Sequence, residues 1–233
     1  MRTDSLAETL AGARVLLFDF DGPICDVFAG VPAPQVAKEL ITLVAAEDEA
    51  AGTRAAETDD PIEVLRIAHE SDPVLGQEVE KALTAAEVRA VGVAGQPTPG
   101  STAALQAARS SGYPVAVVSN NSAECVTAFL ERHALDQYVM HVVGRPSDRP
   151  HLMKPNPYPL IEAAEQMHVD VTSCALIGDS VTDIQAAHSA GSTAIGFANK
   201  PHKLAAFAQL DADAITEDMQ VIADVLGQAA RNA

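Results

Sequence analysis

Short, nearly continuous apolar runs constrain this chain more than any other feature. They lie at residues 14–20, 115–119, 139–143, 174–177 and 193–197. A strand wet on one face alternates apolar and polar residues, whereas one covered on both faces does not. The runs are therefore read as strands buried between layers of helix. Helical stretches lie between most of them. Residues 123–135 set Val126, Phe129 and Leu130 on one face, and residues 158–167 do the same with Leu160, Ile161 and Ala164. Strands alternating with helices imply an α/β fold with a Rossmann-like parallel sheet and right-handed crossovers.

From residue 32 to 93 the alternation stops and only helical signals remain. Val36, Leu40 and Leu43/Val44 share a face. Asp60-Pro61-Ile62-Glu63 supplies an N-cap, a proline at the first helical position and an acid at the third. Asp72-Pro73 opens a further helix with Val79, Leu83 and Val88 at helical spacing. Residues 92–100, rich in Gly and Pro, read as a hinge back to the sheet. The expected division is a core of residues 1–27 and 96–233 carrying a helical insert at 28–95.

Composition narrows what such a fold can do. With 15 Lys plus Arg against 32 Asp plus Glu, the formal charge is −17, a field that repels nucleic acid and anionic membranes. Cys25, Cys125 and Cys174 form no Cys-x-x-Cys and suit a reducing compartment. The N-terminal stretch carries Asp4 and Glu8 without a long apolar core, so no signal peptide is expected. No stretch approaches the roughly 18 apolar residues of a membrane span. The expected setting is cytoplasmic, and Asn120-Asn121-Ser122 matches the glycosylation pattern by chance. The seven histidines lack ligand spacing, which argues against zinc. Oligomeric state is not readable.

In open α/β sheets, ligands bind beyond the carboxyl ends of the strands. Asp19, Asp21 and Gly22 follow the first run; Ser119, Asn120 and Asn121 follow the second. Gly178, Asp179, Ser180 and Asp183 follow the fourth, and Lys154 stands in Met153-Lys154-Pro155-Asn156-Pro157. Carboxylates brought together repel, and Mg²⁺, a hard cation that favours a few carboxylates plus phosphate oxygens, relieves this. A lysine and a hydroxyl can hold phosphoryl oxygens, while one carboxylate attacks phosphorus and another protonates the leaving oxygen. Each group thus has a physical job if the ligand is a phosphate ester.

Four motifs appear in order: Asp19-Phe20-Asp21-Gly22, Ser119-Asn120, Lys154-Pro155-Asn156-Pro157 and Gly178-Asp179-Ser180-Val181-Thr182-Asp183. In these, and in Ile184 and Ala190-Gly191 downstream, the chain resembles the haloacid dehalogenase-like hydrolases, within them the phosphoglycolate phosphatase and β-phosphoglucomutase branch. The helical insert sits where that branch carries its cap. The resemblance implies a Mg²⁺-dependent phosphatase in which Asp19 is the nucleophile that becomes an aspartyl-phosphate. It implies that Asp21 is the general acid/base and offers its backbone carbonyl to the metal. By the same resemblance Ser119, Asn120 and Lys154 hold phosphate, Asp179 is a metal ligand, and Asp183 is a ligand through water or a partner for Lys154. Pro23 departs from the Thr or Val common after the glycine and bears on the hinge.

The same motifs serve a phosphomutase, which returns the phosphoryl group to a sugar. Asp21 argues against a haloacid dehalogenase or a phosphonate hydrolase, which lack this acid. A non-catalytic binding protein on this fold would carry degenerate motifs, and these are intact. Ser180-Val181-Thr182-Asp183 also reads as a capping box. Lys38, Arg54, Arg66, His69, Lys81 and Arg89 are the insert's candidate substrate contacts, though most read as solvated helix residues. His151 reads as an exposed loop residue and Cys25 as packing.

Overall fold

In the computed structural model, residues 3–232 are described; the outermost ends of the expected core, 1–2 and 233, and the Asp4 side chain lie outside the described residues. In chain order the elements are α1 (Thr3–Gly12), β1 (Val15–Phe18), α2 (Ala33–Glu47), α3 (Glu49–Ala55), α4 (Pro61–Ser71), α5 (Pro73–Val93), α6 (Ser101–Ser110) and β2 (Val115–Val118). There follow α7 (Ala123–Arg132), β3 (His141–Val143), α8 (Tyr158–Gln166), β4 (Cys174–Gly178), α9 (Val181–Ala190), β5 (Thr193–Phe197), α10 (Pro201–Gln209), β6 (Ala214–Thr216) and α11 (Met219–Asn232).

Every strand pairing is parallel, in the order β3-β2-β1-β4-β5-β6. β1, β2 and β4 are buried along their whole length, which is why their sequences run apolar without alternation. Side chains still point alternately to the two faces. Leu16 and Phe18 of β1 join Leu105, Phe129 and Leu226 on one side, while Val15 and Leu17 join Leu160, Ile184 and Phe207 on the other. Ile161 departs from the expected face of α8 and is 38% exposed; Leu160, Ala163 and Ala164 carry the buried side instead. β6, only three residues long, is too short for periodicity to register.

Helices α2 to α5 fill the interval between β1 and α6 and hold their own apolar cluster, including Val36, Leu40, Val44, Leu65, Val79 and Leu83. Asp60 caps α4 by accepting from the Ile62 N–H at 2.9 Å, and Asp72 caps α5 through Val74 at 2.6 Å, each followed by proline. Helix α5 continues to Val93, past Gly92 and into the stretch expected as hinge. Two things extend it. Ala90 and Val91 are buried against the sheet's core, and Arg132 Nη1 donates to the carbonyls of Val91 at 2.6 Å and Ala94 at 3.0 Å. No helix among the described residues is long and apolar enough to cross a membrane. All three cysteines are buried and free.

Candidate active site

β1 lies between β2 and β4, so the chain reverses its winding direction at β1 and opens a crevice at the strands' carboxyl ends. Asp19 leaves β1 into that crevice and is buried. Its Oδ1 accepts from the Phe20 N–H at 2.7 Å and from Lys154 Nζ at 2.7 Å. Both bonds fall on one oxygen, leaving Oδ2 free of hydrogen bonds among the described residues. Lys154 Nζ also sits 2.6 Å from Asp183 Oδ1 and donates to the Val118 carbonyl at 3.1 Å. Burial works against the ammonium, but Asp183 and Asp19 hold its pKa above the usual value. Burial and the neighbouring Asp183 push the Asp19 carboxyl up, against the pull of Lys154. Asp183 meets the same burial, yet Lys154 and the Ser180 hydrogen bonds hold it below its usual value.

The capping box is present: the Ser180 hydroxyl and backbone N–H both donate to Asp183 Oδ2, at 2.7 and 3.0 Å. Asp183 thus starts α9 and pairs with Lys154 at once. Carboxylate oxygens of Asp19, Asp179 and Asp183 lie within 4.8 Å of one another, close enough to share a cation. The Asp21 carboxylate is not one of them and accepts from the Val27 N–H at 3.0 Å. Gly22 lets these groups meet. Its φ is +108°, and a Cβ there would fall 2.2 Å from the Asp179 carboxyl carbon.

Ser119 directly follows β2, buried, with its Oγ accepting from the Asn121 N–H at 3.0 Å. Asn120 also lines the crevice, and its side-chain amide is engaged by the loop beside it. It clamps the Lys154 backbone reciprocally, accepting from its N–H at 2.9 Å and donating to its carbonyl at 3.1 Å. Behind this loop lies a cluster that apolar periodicity hides. Arg145, just past β3, pairs with Glu80 at 2.8 Å and Glu87 at 2.7 Å, both on α5, with the guanidinium fully buried. Glu87 in turn accepts from the Ser122 N–H at 3.0 Å and Asn121 Nδ2 at 3.2 Å, tying the insert's longest helix to the loop after β2.

Sequence reasoning also missed Lys203 and Asn199. Lys203 Nζ lies 2.6 Å from Asp179 Oδ2, and Asn199 Nδ2 donates to the same oxygen at 3.0 Å. For Asn199 the signal was available, since it follows the carboxyl end of β5. None of the insert's six candidate cations lines the crevice. Arg54 pairs with Glu70, Arg66 with Glu63 and Arg89 with Glu39, while Lys38 is exposed. Lys81 borders a separate cavity beside Arg145, and His69 packs on Gly76. From the insert side the crevice is lined by Phe28, Ala33, Pro34, Asp59, Asp60 and Ile62, enclosing about 520 Å³.

Burial is the main reason that the Asp21 carboxyl is pushed from 3.8 to about 6; the Val27 hydrogen bond opposes this and Asp179 adds to it. A folded-state pKa above the unfolded one means the folded protein keeps its proton longer. Stability is therefore unaffected below about pH 4 and falls as pH rises towards 6, where the unfolded chain alone ionises. In EDTA, Asp21→Asn is expected to unfold at the same urea concentration as the parent near pH 4. At pH 7 it should be more stable, by on the order of 2 kcal/mol. A pH-independent difference would rule out the elevated carboxyl.

The family model described as haloacid dehalogenase-like hydrolase matches residues 13–191. Phosphoglycolate phosphatase of Neisseria meningitidis is 35% identical over 101 residues, 43% of this chain and 42% of that protein. The matched segment thus spans about two fifths of that relative's length. A subfamily IA hydrolase of Geobacter sulfurreducens superposes with a TM-score of 0.57 at 21% identity, covering 93% of this chain and 97% of that one. A hydrolase of Deinococcus radiodurans, solved with bound phosphate and sodium, gives 0.58 at 22% identity over 94% and 97%. With its core, insert and ordered strand-end motifs in that pattern, the chain belongs to the haloacid dehalogenase-like hydrolases.

Proposed function

We propose that the chain is a Mg²⁺-dependent phosphatase that hydrolyses a small phosphomonoester through an aspartyl-phosphate on Asp19. The observation that carries this reading is the buried Asp19–Lys154–Asp183 chain, with Asp19 Oδ2 left unbonded in the crevice. An Asp19 oxygen attacks phosphorus, and the alcohol leaves with the proton of Asp21, whose elevated pKa suits a general acid. The Asp21 carboxylate then takes a proton from water, whose oxygen displaces Asp19 from phosphorus and releases inorganic phosphate. Ser119 Oγ, Lys154 Nζ and the N–H groups around Asn120 orient the phosphoryl oxygens.

Asp19 and Asp179, with the Asp21 carbonyl, would hold Mg²⁺, and Asp183 would act through water or through Lys154. The donors fit the ion: carboxylate oxygens within 4.8 Å of one another, one of them destabilised by burial and like charge. When bound, the ion supplies positive charge to the transferring phosphoryl group. Residues 28–95 would form a cap over a core of 1–27 and 96–233, and their separate apolar cluster supports that division. The free, buried cysteines support a reducing, cytoplasmic setting. Phosphoglycolate phosphatase relatives support the reaction class. Treatment with excess EDTA is expected to lower p-nitrophenyl phosphate hydrolysis at least about 100-fold, with recovery on adding Mg²⁺. An undiminished rate in EDTA would overturn the reading.

A further inference from the structure

The end of the crevice that would receive the alcohol half of a substrate has an unusual charge. Its insert-side wall carries two carboxylates, Asp59 and Asp60, among apolar neighbours such as Phe28, Pro34 and Ile62. Neither aspartate forms an ion pair among the described residues. Counting both walls, Asp19, Asp21, Asp59, Asp60 and Asp179 outnumber the two cations beside them: Lys154, which Asp19 and Asp183 already hold at 2.7 and 2.6 Å, and Lys203, held by Asp179 at 2.6 Å. A dication and the substrate's own phosphate roughly cancel, so the excess of negative charge remains.

Two helix N-termini border the same space and work the other way, each with about half an elementary positive charge. Their donors are partly spent. At α4, Pro61 has no N–H, and the Ile62 N–H is taken by Asp60 at 2.9 Å. At α2, Pro34 has no N–H, and the Gln35 and Val36 N–H groups return to the Pro32 carbonyl at 2.9 and 3.3 Å. Two full carboxylates outweigh what is left.

Resting on the phosphatase reading of this crevice, we propose that its substrate is a phosphomonoester whose alcohol half carries no anionic group. An uncharged hydroxyl or an ammonium on that half meets Asp59 and Asp60 as a hydrogen-bond donor, while its carbon skeleton lies against Phe28 and Ile62. A carboxylate at that end meets repulsion and finds no cation. Phosphoglycolate, which names the matched relatives, is therefore disfavoured here. The relatives and this chain would share the chemistry at phosphorus and differ in what the cap admits.

A series of equal length separates the charge from the size of the alcohol: 2-aminoethyl phosphate, 2-hydroxyethyl phosphate and phosphoglycolate, assayed with saturating Mg²⁺ alongside p-nitrophenyl phosphate. The expected kcat/KM for phosphoglycolate is about tenfold or more below that for 2-hydroxyethyl phosphate, with the amine at least equal to the latter. The gap should shrink in high salt, as an electrostatic effect must. In the double variant Asp59→Asn, Asp60→Asn it should close to about threefold or less, because Asn keeps the α4 cap while removing both charges. Phosphoglycolate turned over as well as the neutral ester, or a gap unchanged in the double variant, overturns the substrate class. Turnover of p-nitrophenyl phosphate in either case leaves the phosphatase reading standing; no turnover of any ester overturns both.

Discussion

Asp19→Asn is expected to lower phosphate release from p-nitrophenyl phosphate by about 10,000-fold while the protein stays folded. The amide is no nucleophile towards phosphorus, so the covalent step is lost and not merely slowed. Structure survives because the substitution keeps the shape and the local bonding. The carboxamide oxygen of the variant can still accept from the Phe20 N–H and from Lys154, as Asp19 Oδ1 does at 2.7 Å in both cases. Lys154 also retains Asp183 at 2.6 Å as its counter-charge. Losing one of two like charges around that lysine offsets the weaker hydrogen bond, so the urea midpoint should move little. Acid quenching of the parent during turnover should trap phosphate on the protein, and the variant should trap none. Activity in the variant above a few per cent of the parent would exclude Asp19 as the nucleophile.

What could be read from the residues follows from where each sits. Asp19, Ser119 and Asp179 are legible because each directly follows an apolar run, and strand ends in such sheets converge. Lys154 is legible because Pro155 and Pro157, which follow it, fix a loop where a solvated lysine needs none. Lys203 escapes notice because α10, not a strand end, carries it to Asp179. The insert's helices are legible from their Asp-Pro starts, and most of its lysines and arginines are the solvated helix residues they read as, Arg54, Arg66 and Arg89 pairing with nearby glutamates. Glu80 and Glu87 present the reverse case. They lie about two turns apart on α5, and nothing in the local sequence marks them, because their partner Arg145 is distant in sequence.

Replacing that arginine should have the largest effect on stability. Arg145→Met is expected to cost about 3–5 kcal/mol, because it leaves Glu80 and Glu87 buried without a counter-charge. The arginine's own side chain is fully buried, as is that of Glu87, whereas Glu80 is 9% exposed. Burial opposes the guanidinium charge, but Glu87 and Glu80 raise its pKa, so it stays charged and shields both acids. A surface pair offers the control. Arg54 and Glu70 meet at 3.0 Å with side chains 53% and 69% exposed, and Arg54→Met should cost under about 1 kcal/mol. Exchanging all three buried charges for apolar residues of similar size should recover most of the stability, since desolvation of the ions is then avoided. It should not recover catalysis. Glu87 holds the Ser122 N–H and the Asn121 side chain, and Asn121 in turn holds Ser119 Oγ, so the loop that orients phosphate would lose its backing. Urea unfolding at pH 7 reads the first effect and kcat/KM on p-nitrophenyl phosphate the second. Equal destabilisation by Arg145→Met and Arg54→Met would refute the buried cluster, and a fully active triple variant would refute its hold on the phosphate loop.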